Sequence, residues 1–272
     1  MSAALQFTQS SDGTRIAYQQ RGRGPAIVIV CGAFAHRRTS DAVAALLADA
    51  FTVYEYDRRG RGDSGNVLPF TAQREIDDLA AVIDAAGGSA ALFGHSSGAA
   101  IVLEAAAQQL PVTALVAYEP PYHSLAATTV DHLARAVEEG DRAEAVRTFM
   151  VDVVGLPEAM VPSVQSGAGW PGMLAVANTL LYEIAACGDG SIPVGRLARI
   201  TTPTLLVAGE RSWQWLREVC DQTAAAIPNA ERIDLAGQDH GAAPEVVVPV
   251  ITEFVRRALR SSADQREGEA VV

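Results

Sequence analysis

The sequence predicts an α/β fold in which a mostly parallel sheet of eight strands carries helices on both faces and a helical lid is inserted late in the chain. Three observations carry this. Short apolar runs, such as 26–31 and 112–118, alternate with helix-forming stretches; a run apolar throughout and too short for a helix is a strand buried on both faces. A Gly-Xaa-Ser-Xaa-Gly turn, Gly94-His95-Ser96-Ser97-Gly98, joins one such run directly to a helix-forming run. The alternation stops between Glu119 and Ile200, where only helical pieces broken by Gly and Pro occur, and it resumes with the strand-like run 203–209.

Taken in order, 5–8 and 15–18 flank Ser11-Asp12-Gly13-Thr14 and read as a hairpin with an Asp-Gly turn. Strand 26–31 leads through a helix at 41–48 to strand 51–56, and then to the glycine-rich loop 57–65, which holds three arginines. Helix 71–87 starts at Thr71, a good N-cap, and stops at Gly87-Gly88. The strand before Gly94 follows, with a helix after it to about Gln109 and then strand 112–118. Strands and helices at this spacing make right-handed β-α-β units. Helical pieces at 130–139 and 142–154 belong to the insertion, and a long insertion at a sheet's active edge is usually functional. Helix 213–227, strand 231–235, loop 237–241 and helix 244–259, with Pro244 in its first turn, complete the domain. The expected organisation is a core of 1–119 and 198–260, a lid of 120–197, and a polar tail of 261–272 that is disordered.

Composition excludes several partners. The net charge is -11 and all 21 basic residues are arginines, so no basic stripe is available to neutralise nucleic-acid phosphates or an anionic membrane. Cys31, Cys187 and Cys220 are widely spaced and form no C-x-x-C pair, which suggests neither a disulfide framework nor a thiolate metal site and fits a reducing compartment. The N-terminal residues lack a signal-peptide pattern, and no apolar run reaches the ~18 residues of a membrane span. A cytoplasmic protein acting on a small molecule, with no metal or organic cofactor, is expected; its oligomeric state is left open.

The chemistry of the turn explains its glycines. A serine held at a tight strand-to-helix turn needs neighbours without Cβ so that strand and helix can approach. Ser96 is therefore the candidate nucleophile, and the N–H of Ser97, at the start of the helix, is a candidate oxyanion donor. The loop 57–65 invites a phosphate-cradle reading, but it lacks the Gly-Lys-Ser/Thr of a P-loop, so a tight crossover held by Asp57 and Arg58 is favoured. His240 follows the last strand, and an acid is expected at the carboxyl edge of the same sheet, where functional groups of parallel sheets gather.

With Ser96, an acid and His240 in that order, the chain resembles the α/β-hydrolase fold superfamily over about residues 5–259. Its motifs are Gly94-His95-Ser96-Ser97-Gly98, Asp57-Arg58-Arg59-Gly60-Arg61-Gly62-Asp63-Ser64 and Gly237-x-x-His240. The resemblance implies that Ser96 attacks, that His240 is general base and then general acid, and that Ala33 supplies the second oxyanion N–H. Two positions depart from the family pattern. Ser212 stands where many members have the triad aspartate, so the acid is sought at Glu119, directly after strand 112–118, or second at Glu210; Asp239 is a remoter choice. Some members, including certain haloalkane dehalogenases, keep their acid after the earlier strand. Cys31-Gly32 replaces the family's His-Gly, and Cys31 is expected to be a small buried residue rather than a reactive thiol.

Candidates for the substrate pocket are Phe34, His36, Tyr122, His123, Trp170 and Trp213, with Met150, Met160, Met173 and Trp215 as further apolar candidates; many of these belong in an ordinary core. His95 reads as a spacer in the turn and His132 as a surface residue of a lid helix. The expected activity is hydrolysis of a small, largely apolar ester, thioester, lactone or activated ketone through an acyl-enzyme. The alternatives are a lyase or cyclase on the same fold, and a ligand-binding receptor or pseudoenzyme, which an incomplete triad would favour.

Overall fold

Side chains alternate faces along a strand, so a strand apolar at every position must be covered twice. In the computed structural model, which describes residues 4–269, eight strands form one sheet, buried and mainly apolar in its central members and more polar towards its edges. They are β1 (Gln6–Gln9), β2 (Arg15–Gly22), β3 (Ala26–Val30), β4 (Thr52–Tyr56), β5 (Ala90–His95), β6 (Val112–Tyr118), β7 (Thr204–Gly209) and β8 (Glu231–Leu235). The spatial order is β1-β2-β4-β3-β5-β6-β7-β8; β2 runs antiparallel to both its neighbours and all other pairs are parallel.

Helices α1 (Asp41–Leu47), α2 (Ala72–Ala85) and α3 (Ser97–Ala107) lie between the earlier strands. Between β6 and β7 the chain forms α4 (Ala127–Glu138), α5 (Arg142–Thr148), α6 (Val161–Gln165), α7 (Trp170–Ala175), α8 (Leu180–Ala186) and α9 (Val194–Leu197). Helices α10 (Gln214–Ala225) and α11 (Pro244–Glu269) follow β7 and β8. Ile27, Ile29, Ala91 and Phe93 pack with residues of α1 and α11 on one face. Val28, Val30, Ala90 and Leu92 pack with residues of α2 and α3 on the other. The segment between β6 and β7 has its own cluster, built on Leu133, Val146, Phe149, Met150 and Leu180, and Ala33 and Phe34 of the core pack against it.

One expectation is corrected at the C-terminal end. Helix α11 does not stop near Leu259 but runs to Glu269, through most of the stretch expected to be a disordered tail. Ala263, Gln265, Arg266 and Glu267 are good helix formers, and extending an existing helix requires no new nucleus. The rest of that stretch, 270–272, lies outside the described residues. Among the described residues no helix is long and apolar enough to cross a membrane.

Two glycines set the distance between β5, α3 and β3. A Cβ on Gly94 would stand 2.4 Å from the Gly98 oxygen, and one on Gly98 would stand 2.1 Å from the Val30 oxygen. Both contacts are with backbone, which cannot swing aside. Gly98→Ala is therefore expected to cost at least about 1–3 kcal/mol through overpacking. Gly195→Ala, with nothing within 4 Å of its Cβ position, is the control. Urea denaturation of both variants checks this, with the midpoint lowered only for Gly98→Ala.

Candidate active site

The turn after β5 holds Ser96 at φ 56° and ψ −127°, a left-handed conformation that costs a non-glycine residue about 1–3 kcal/mol. Neighbouring backbone holds the residue there. Its N–H donates to the Tyr118 oxygen at 2.9 Å, and Gly32 lies so near that a Cβ would stand 2.8 Å from Ser96 Cβ. Ser97 opens α3, so its N–H has no acceptor within the helix. Ser96, Ser97 and Ala33 border one cavity, with Phe34 beside Ala33 at φ 58°.

Glu119 follows β6 directly and is also left-handed, at φ 50°. Its N–H donates to the Val207 oxygen at 3.0 Å, which continues the β6–β7 pairing and turns the side chain towards the ends of β7 and β8. The residue has no exposure to solvent. Its Oε1 accepts the Gly209 N–H at 2.7 Å, and its Oε2 lies 2.5 Å from His240 Nδ1. Burial pushes the carboxyl pKa up, but the His240 ring, the nearby Ser212 hydroxyl and the Gly209 N–H outweigh it and hold the group below its ordinary value. The position where the family usually carries its aspartate thus supports a carboxylate that arrives from the neighbouring strand.

Of the two acids left open by the sequence, the structure brings Glu119 to His240 and not Glu210. The Glu210 carboxylate is exposed and accepts the Gly237 N–H at 2.8 Å, bracing the loop instead. Asp239 does likewise, its Oδ1 accepting the Gly241 N–H at 2.9 Å. The His240 loop is further held by two groups that the sequence did not single out. Tyr118 OH donates to the Asp239 oxygen at 2.5 Å, and His95 Nε2 lies 2.7 Å from the His240 oxygen. A carbonyl can only accept, so this His95 nitrogen carries the hydrogen. The two imidazole rings lie 4.6 Å apart, and burial, followed by the proximity of His240, pulls the His95 pKa down to about 4. His95 is more than a spacer.

The cavity has a volume of about 400 Å³. Phe34, His123 and Trp213 line it as expected, together with Met150, Met173 and Trp215. Phe149, Met150 and Val153 come from a π-helical turn, Phe149–Val153, that breaks the regular helix after α5 and aims three apolar side chains inward. Three expected pocket residues are corrected. Tyr122 is 5% exposed and packs in the core cluster beneath α3. Its N–H bonds back to the Pro120 oxygen, and the turn leaves Pro121 and His123 on the cavity wall instead. The ring of His36 caps a 3₁₀ turn, Arg37–Ser40, by accepting the Arg38 N–H at 3.3 Å, and does not reach the wall. Trp170, at the start of α7, packs against the insertion's own apolar cluster and lies off the cavity wall. Met160 is half exposed and also lies away from it. His132 is on the helix surface, 2.7 Å from Glu144. The Cys31 thiol is buried, which raises its pKa, and lies 3.3 Å from the Ser40 hydroxyl; this is an inert setting.

Loop 57–65 is no phosphate cradle. Arg59 is buried and paired with Asp78 and Asp12, while Arg58 is buried and forks onto Glu75 at 2.7 and 3.0 Å. Arg58 also reaches Glu183 of α8 at 2.9 Å, and Arg61 pairs with the same carboxylate. Burial, then the neighbouring Arg58, pulls the Arg61 pKa down to about 9. Glu183 borders the cavity, and sequence analysis missed it, although it is the one charged residue in the apolar run Leu180-Leu181-Tyr182-Glu183-Ile184-Ala185. Among the described residues, no group of three His, Cys, Asp or Glu side chains is placed to hold a metal ion.

Sheet order, nucleophile-type turn and a buried acid beneath a histidine define an α/β hydrolase. Residues 27–250 match the profile of the Alpha/beta hydrolase family, and the chain belongs to that family. An alpha/beta hydrolase from Sphaerobacter thermophilus superposes with a TM-score of 0.88 at 46% identity, covering 92% of this chain and 99% of that one. A thermophilic esterase from Thermogutta terrifontis superposes with a TM-score of 0.70 at 20% identity, covering 95% and 99%, a likeness of fold. Among curated proteins, N-formylmaleamate deformylase of Pseudomonas putida is 37% identical over 117 residues, 41% of this chain and 44% of the relative. That match therefore spans less than half of the relative's length.

The His95 environment has a consequence for stability. Its folded pKa of about 4 lies below the ordinary 6.5, so between these values the unfolded chain takes up a proton that the folded protein refuses. This contribution is complete above about pH 6.5 and is lost as the pH falls towards 4. Denaturant melts across this range are expected to show a stability slope smaller by up to about one proton in His95→Asn than in the parent. Equal slopes would contradict the assignment.

Proposed function

We propose that this protein is a serine hydrolase that cleaves a small, largely apolar carboxylic ester through an acyl-enzyme, with thioesters, lactones and activated ketones open to the same chemistry. The observation that carries the reading is the 2.5 Å contact between Glu119 Oε2 and His240 Nδ1, beneath a cavity that His240 shares with Ser96. Glu119 keeps Nδ1 protonated, which leaves Nε2 as the base. Ser96 Oγ attacks the carbonyl carbon as its proton passes to His240, and the C=O electron pair moves onto oxygen facing the Ala33 and Ser97 N–H groups. Collapse of this intermediate breaks the bond to the leaving group, which departs with the proton from His240. Water then repeats the sequence on the acyl-enzyme, releasing the acid and restoring the Ser96 hydroxyl.

The helical segment between β6 and β7 serves in this reading as the lid, since it supplies Phe149, Met150 and Met173 to the cavity. The mainly apolar walls favour a substrate with an apolar acyl or alkyl part. The histidine with a buried acid beneath it also weighs against a pseudoenzyme, which would have no need of it. The deformylase match supports a second reading, hydrolysis of an N-formyl C–N bond by the same residues; comparing p-nitrophenyl butyrate with formanilide as substrates separates the two.

A fluorophosphonate probe is expected to label the parent protein at Ser96 and to leave Ser96→Ala unlabelled, with kcat on p-nitrophenyl butyrate lowered at least ~10³-fold in the variant. Retained activity in a folded Ser96→Ala protein would overturn the covalent mechanism.

A further inference from the structure

The two expected oxyanion donors sit on different segments. Ser97 opens α3, and Ala33 lies in the loop after β3. To act together, their N–H groups must be held in a fixed mutual direction, and something has to fix it.

A peptide unit is planar and trans, so its C=O and the next residue's N–H point in opposite directions; whatever holds the oxygen aims the N–H. The unit that carries the Ala33 N–H also carries the Gly32 oxygen, which accepts from Arg61 Nη1 at 2.8 Å. The same nitrogen reaches the Ala35 oxygen at 3.1 Å, and Arg58 Nη1 reaches the Cys31 oxygen at 3.2 Å. Two guanidinium groups therefore grip loop 31–35 by its carbonyls. On the other side, the Ser97 hydroxyl donates to Glu183 Oε2 and is approached by Arg58 Nη1 at 3.4 Å.

Glu183 is where these lines meet. Its Oε2 takes Ser97 and, at 2.9 Å, Arg58, while its Oε1 pairs with Arg61. Arg61 is held from a second side by Nε donating to Thr179 Oγ1 at 3.0 Å, just before α8. Arg58, Arg61, Glu75 and Glu183 are all at least 97% buried, two positive and two negative, so the set is neutral only while Glu183 is present. Oε2 holds Ser97 and Arg58 and Oε1 lies against Arg61, so the carboxylate is turned to these protein groups although Glu183 borders the cavity.

We infer that Glu183 is a positioning residue for the oxyanion hole, its carboxylate holding Arg61 and Arg58 against loop 31–35 and so aiming the Ala33 N–H, while the Ser97 N–H is set by the Ser96 oxygen inside the first turn of α3. The helical insertion then does more than shape the pocket, because it carries the residue that keeps Arg61 on the Gly32 oxygen and so sets the Ala33 donor. This rests on the serine-hydrolase reading.

The test is Glu183→Gln, which keeps the shape and one hydrogen-bonding oxygen but removes the charge. With rates divided by the number of sites that a fluorophosphonate titrates, kcat on p-nitrophenyl butyrate is expected to fall about 10- to 100-fold, below the cost of deleting a donor outright, with KM changed less than about threefold. Butylboronic acid, whose tetrahedral adduct places an oxygen in the hole, should bind weaker by a similar factor, while butyrate binds within about twofold of the parent. A purely structural role would lower the titratable fraction and the melting temperature but leave kcat per titrated site and boronate affinity unchanged, and that result overturns the inference. Thr179→Val, which removes one hold on Arg61, is expected to shift kcat and boronate affinity the same way by a smaller factor, and it carries the test if Glu183→Gln does not fold. A parent protein that no fluorophosphonate labels refutes the serine-hydrolase reading instead, whatever the variants do.

Discussion

A carboxylate with no access to water must find its donors within the protein, and Glu119, directly after β6, finds them at or beyond the ends of the two strands that follow in the sheet. It leaves β6, accepts the Gly209 N–H at the end of β7, and meets His240 in the loop after β8. A buried charge without partners would cost several kcal/mol, so this residue constrains where those strands end and how the β8 loop returns. The parallel order β6-β7-β8 is what lets a side chain leaving β6 reach the ends of the other two. The left-handed backbone at Glu119, and again at Ser96, is strain retained where it aims a functional side chain.

A second constraint acts on the other side of the serine. Arg58 and Arg61 are buried beneath loop 31–35 and are balanced in part by Glu183, which arrives from the helical insertion. Removing one member of such a buried set typically costs ~3–5 kcal/mol, because the remaining charge is left without a partner. The insertion is thus joined to the core by charge as well as by the apolar contact of Phe34 with Phe149, whose rings lie 5.4 Å apart in an edge-to-face arrangement.

Much of this could be read in the chain. Short apolar runs such as Ala26–Val30 have no alternative to a doubly covered strand, and Gly94 and Gly98 flank a serine at a spacing that only a close strand-to-helix turn requires. Glu119 was legible because a residue that ends a buried strand has its direction set by the sheet. What was not legible depends on direction within irregular segments. Tyr122 and His123 are neighbours, and only the turn at Pro120 decides which of them faces the cavity. Glu183 was missed because its partners, Arg58 and Arg61, lie more than 120 residues earlier in a loop whose charges were expected to pair nearby. The continuation of α11 past Leu259 was missed because the apolar periodicity of the helix ends there, and a polar stretch beyond it resembles a tail.

The central claim is that Glu119 is the acid of the catalytic machinery and that Glu210 only braces a loop. The direct measurement is kcat on one ester at one pH for the two isosteric amides. The account predicts that Glu119→Gln lowers kcat by up to ~10⁴, since a neutral amide can neither fix the imidazole tautomer nor stabilise the imidazolium. It predicts less than about a tenfold change, under ~1.4 kcal/mol in the barrier, for Glu210→Gln. The reverse ranking would place the acid at Glu210, and two near-neutral variants would leave a Ser-His pair working without a carboxylate; either result contradicts the account.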